Sequence, residues 1–199
     1  MPRTLPRPPR ITALTADAAA TEEPLPRLTP GWLLTAFGVL TAGFLAACLW
    51  TAGHVHADAT LQNTARFLHV ASLVAGLGSV LAVDWLAVLW LSGRRPLAAV
   101  LDTACALQTP IWAGLGGLTV TGLFLRPDLG SPLTLVKLGL VLAVTLNGLH
   151  AHRLGQLLER FRDHGQAPRR LLVRSAAAAG ISQIGWWGAT LIGYLNSRS

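Results

Sequence analysis

The residues of this chain that could do chemistry fall into two groups. His54, His56 and Asp58 stand in the polar stretch GHVHADATLQNTAR, and His69 opens the apolar run that follows. A His-x-His pair with a further histidine nearby offers the donors that copper or zinc takes, since neutral imidazole binds both. The second group is Asp84, Asp102, Asn147, His150, Ser182 and Gln183, of which Asp84, Asn147 and His150 could pass protons along a polar path. His69 and Asp84 are fifteen residues apart, or about 22 Å on one helix, so they serve different sites.

The elements that must position these groups are apolar helices. The run FLHVASLVAGLGSVLAVDWLAVLWL carries two ionisable side chains, His69 and Asp84, and is long enough to cross a hydrocarbon layer of about 30 Å. Four more runs of this kind give spans over 32–52, 67–91, 97–125, 133–152 and 175–195. The expected fold class is therefore all-α, a polytopic transmembrane bundle of five helices over residues 31–199. No internal repeat is evident in the linear sequence.

Residues 1–30 hold seven of the twelve prolines and four arginines, a composition that cannot bury a core and predicts a disordered basic arm. The arm, the turn at 92–96 and the stretch 153–174 together carry 12 of the 16 basic residues. By the positive-inside rule the N-terminus is cytoplasmic and the C-terminus lies outside. The start of the 153–174 stretch, HRLGQLLERFRD, has the spacing of a short amphipathic helix on the membrane surface. Arginine far exceeds lysine, whose one example is Lys137, and Ala, Gly, Pro and Leu abound; this composition points to a bacterial cytoplasmic (inner) membrane.

Several features refine the reading. Small residues recur at every fourth position as Gly38–Ala42–Ala46, Ala71–Ala75–Ser79, Ala113–Gly117–Thr121 and Gly185–Ala189–Gly193, the pattern of closely packed membrane helices. Pro110 removes the N–H that would bond the Ala106 carbonyl and predicts a kink in the third span. Asp84 should face the bundle, with His150 or Arg153 as its partner. Cys48 and Cys105 differ too much in depth to pair.

Composition and motifs also exclude functions. The net charge of +7 and pI of 11.2 reflect topology rather than nucleic-acid binding, and no nucleophile stands beside a base, which argues against an enzyme. A haem b needs two axial histidines at similar depth; His69 lies towards one face and His150 and His152 towards the other, so only His69 with His54 or His56 could serve.

The segments HVASLVAGLGSVLAVD, KLGLVLAVTLNGLH and SQIGWWGATLIG resemble a group of uncharacterised bacterial five-helix membrane proteins, which implies a fold. His69 entering a Gly-rich span is also similar to copper-resistance protein D type membrane proteins, which implies a metal-ligand role for His69. The chain departs from copper(I) chemistry in having Met1 as its sole methionine. The function expected is handling of a small ion, either a metal cation at His54, His56 and His69 or protons through Asp84, Asn147 and His150. The alternative is a non-catalytic membrane subunit or scaffold that assembles with itself or a membrane partner, and a haem-binding redox protein ranks third. The lipid bilayer is a partner in every case.

Overall fold

The computed structural model describes residues 28–54, 58–162 and 167–196. The arm up to residue 27 and His56 lie outside the described residues. Among those described there are five α-helices and no strand: α1 (Gly31–Ala52), α2 (Ala59–Leu91), α3 (Leu97–Phe124), α4 (Pro132–Glu159) and α5 (Arg169–Asn196). Three of them, α1, α2 and α4, are long and apolar enough to cross a membrane, with peak mean hydropathies of 2.0, 1.9 and 1.7. At 28 residues each, α3 and α5 match α4 in length but carry more Gly and Ala. Of these, α3 touches α2, α1 and α4, and α5 packs on α4.

Three elements run beyond their sequence expectation, among them α5, which begins at Arg169 rather than at residue 175. The stretch after residue 58 is helical because the Asp58 carboxylate caps α2, accepting a hydrogen bond from the Leu61 N–H at 2.7 Å. Asp58 is thus the N-cap of α2. At the other end of the chain, HRLGQLLE continues α4 to Glu159 instead of forming a separate surface helix. Leu154 is 2% exposed and anchors that extension, and no proline interrupts it. Gly93, at φ +71°, closes α2 in the left-handed conformation that glycine tolerates best.

The helices associate as two tight hairpins, α2 with α3 and α4 with α5, and α1 lies across α3 and α4. In the α2–α3 seam a side chain on Gly114 would put its Cβ 2.6 Å from the Cα of Gly76 and 2.7 Å from the Ser72 carbonyl oxygen. Gly117 faces the Ser72 hydroxyl with equally little room. The close-contact face of α2 is therefore Ser72 and Gly76; Ala71 and Ala75, expected there from their spacing, are exposed. In the α4–α5 seam Gly185 meets Val144 and Gly188 meets Leu140.

Beyond the seams, Arg162 bridges the hairpins by donating to Asp102 of α3 and to Glu159 of its own neighbourhood. Glu159 first and Asp102 second hold the Arg162 guanidinium above its usual range. The guanidinium stays protonated throughout the neutral range, so this contribution is constant through neutrality. Both cysteines are free.

The seam geometry makes a graded prediction. Gly114→Ala should lower the unfolding free energy in detergent by roughly 1–3 kcal/mol through overpacking. Gly116→Ala, whose Cβ meets nothing within 4 Å, should be neutral or stabilising. Equal effects in a denaturant titration would contradict the assigned interface.

Candidate functional site

The polar residues sort by the end of the bundle at which they lie. One end holds the N-termini of α2 and α4 and the C-termini of α1, α3 and α5. There a cavity of about 760 Å³ opens between the helices, lined by His69 and Arg66 from α2, Lys137 and Thr134 from α4, and Asn196 from α5. Its wall is otherwise mainly aliphatic, with Leu45, Leu73, Leu118 and Val141 among the lining side chains. Arg66, Arg126 and Lys137 face it against one acidic residue, Asp128.

Most polar groups of the lining are already engaged. The Thr121 hydroxyl donates to the Gly117 carbonyl at 2.6 Å, so it accepts from His69 Nδ1–H at 2.8 Å. This fixes the His69 tautomer and leaves the lone pair on Nε2. Asn196 Nδ2 donates to Thr134 Oγ1 at 3.1 Å, and the Asp128 carboxylate accepts from the Gly130 N–H at 2.9 Å. Lys137 is half-buried and makes no hydrogen bond or ion pair among the described residues.

Among the described residues no three histidine, cysteine or acidic side chains come within reach of one ion; His56, one of the three expected ligands, lies outside them. His54 is exposed at the end of α1; its Nδ1–H donates to the Trp50 carbonyl at 2.8 Å and its ring lies 4.5 Å from that of Trp50. His69 lines the cavity and His54 does not.

At the opposite end the expected relay residues take separate partners. Gln183 Nε2 donates to Asp84 Oδ2 at 2.5 Å, and its Oε1 accepts from Trp187 Nε1–H at 2.9 Å. Asp84 therefore pairs with Gln183 of α5 rather than with His150 or Arg153. Asn147 is buried and donates to the Ala178 carbonyl at 2.7 Å, clipping α4 to α5. His150 is exposed.

His152, not His150, is the histidine built into the bundle. The Thr29 N–H donates to Gln156 Oε1 at 3.0 Å and thereby orients that amide. Gln156 Nε2 then donates to His152 Nε2 at 3.1 Å, so the His152 proton sits on Nδ1. The Gln108 side-chain amide lies 2.7 Å from that nitrogen. Gln108 lies two residues before Pro110, which sits inside an unbroken α3.

These contacts are reciprocal. Asp84 on the first helix of one hairpin bonds Gln183 on the second helix of the other, and His152 bonds Gln108 in the converse sense. Trp186 packs on Gly76 and Trp112 on Gly148, again each across to the other hairpin. The sequence carries a faint trace of this: His69 to Asp84 and Lys137 to His152 both span fifteen residues, and Gln108 and Gln183 each precede a tryptophan by four. Short polar signatures in apolar helices would have exposed the two glutamines as partners.

The brace between α2 and α5 should be measurable. A double-mutant cycle of Asp84→Ala and Gln183→Ala should give a coupling of about 0.6–1.7 kcal/mol, the range of hydrogen bonds between membrane helices. The pair Asp84→Ala and His150→Ala should be additive, and coupling there instead would contradict the assigned partner. Comparison of the chain with protein-family models, with curated proteins and with solved structures finds no match.

Proposed function

We propose that the chain is a five-span protein of the bacterial inner membrane, with its N-terminus cytoplasmic, that binds a small anion in the cavity around Lys137. The observation that carries this reading is the charge of the lining: Arg66, Arg126 and Lys137 against Asp128, with Lys137 half-buried and unpartnered among the described residues. A cation held inside an apolar bundle favours a mobile counter-ion, because its own field is poorly screened there. The same lining disfavours a metal cation at His69, although the Nε2 lone pair of that ring is chemically suited to copper or zinc.

The positive-inside distribution supports the orientation, and the apolar lengths of α1, α2 and α4 support insertion. The less apolar α3 and α5 enter as the returning arms of their hairpins, shielded by their partners. A scaffold role is the second reading, favoured by the cross-bracing of the hairpins, which rigidifies the bundle without requiring a ligand.

Thermal unfolding of the untagged protein in neutral detergent distinguishes these readings. Acetate or phosphate should stabilise it, by about 2.7 kcal/mol at a hundred times the dissociation constant, and Lys137→Met should abolish the effect. Copper or zinc bound near-stoichiometrically and lost on His69→Ala would overturn the anion reading in favour of the metal. Indifference to every ion would leave the scaffold.

A further inference from the structure

The cavity is much larger than an inorganic anion needs. Its volume of about 760 Å³ lies in the range of sites for organic ligands, about 300–1,000 Å³, which are typically apolar with a few fixed polar groups. Leu45 of α1, Leu73 of α2, Leu118 of α3 and Val141 of α4 contribute to its aliphatic wall. The polar side chains His69 and Thr134 are spoken for by Thr121 and Asn196. What remains is the Lys137 amine on α4, with the exposed Arg66 guanidinium of α2 near it, beside an aliphatic surface supplied by neighbouring helices.

Resting on the anion reading above, the geometry points to a more specific ligand class: a single-chain amphiphile with a carboxylate head, the head paired with Lys137 and the chain laid along the aliphatic wall. Charge complementarity places the head, and a mainly aliphatic wall suits a chain without further polar groups. Arg66, exposed on α2 at the cavity, provides a second positive charge on the approach to that position. A short hydrophilic anion would satisfy Lys137 but leave the aliphatic wall unfilled. A cationic or neutral amphiphile would fill the wall and leave the amine unpaired.

Lys137 is the only lysine of the chain, so its modification by an amine reagent, read by peptide mapping apart from the N-terminal amine, reports this site alone. The protein is held in nanodiscs of zwitterionic lipid and challenged with laurate, acetate, dodecanol or dodecyltrimethylammonium. Laurate should slow modification at least tenfold, and acetate at the same concentration should not. Dodecanol and the cationic amphiphile should leave the rate unchanged. Ala189→Leu, which fills part of the cavity, should weaken protection by laurate at least tenfold, measured against the ligand-free rate of the same variant.

Equal protection by acetate and laurate, unchanged by Ala189→Leu, would overturn the amphiphile and leave the anion reading standing. Equal protection by dodecanol and laurate, or protection by none of the four, would overturn both.

Discussion

A hydrogen-bonding group placed in hydrocarbon without a partner costs several kcal/mol, and this constraint arranges almost every polar residue of the chain. The threonines of the helices turn their hydroxyls back on carbonyls one turn earlier, as Thr41, Thr51, Thr103 and Thr145 do. Asn147, Asp84, His69 and His152 are each met by a named group on another helix. Ser175 keeps a buried hydroxyl without a partner at the start of α5. Lys137 is the larger exception, since among the described residues a full charge rather than a hydroxyl meets no partner.

The placement of the bonds explains why a cavity accompanies that charge. At the end holding Asp84, His152 and Arg162, the bonds cross from one hairpin to the other. At the end holding Lys137, the His69–Thr121 and Thr134–Asn196 bonds each join the two helices of one hairpin. Bracing between hairpins at one end, with ties inside each hairpin at the other, lets the bundle open where Lys137 stands. The glycine seams set the rest of the geometry, because Gly76, Gly114 and Gly185 fix how closely each hairpin closes and hence where the free space is left.

The helices themselves were legible as apolar runs, and their number and order follow from them. Their polar ends were not: residues 59–66 look like a loop until Asp58 is recognised as a cap, and HRLGQLLE looks like a surface helix until Leu154 is seen to be buried. Small-residue spacing located a ladder on α2 but missed its face by one residue, because Ala71 and Ser72 both begin plausible four-residue patterns and the choice is made by Gly114 and Gly117 on α3. Depth correctly placed Gln183 in the same band as Asp84, yet ionisable residues drew attention as partners ahead of a neutral amide. The cavity is a property of five helices together, and nothing in the linear order of His69 and Lys137 announces that they share one.

The central claim is that Lys137 awaits an anion rather than serving the fold. Because it is the only lysine, selective 15N labelling of lysine yields one side-chain amine resonance, which reports its surroundings directly. The account predicts that this resonance moves saturably when an anionic ligand is added and stays still for its neutral counterpart, while the unlabelled fold and its unfolding midpoint tolerate Lys137→Met in the absence of ligand. A resonance indifferent to anions, together with collapse of the fold on Lys137→Met, would show the amine to be a structural element and contradict the account.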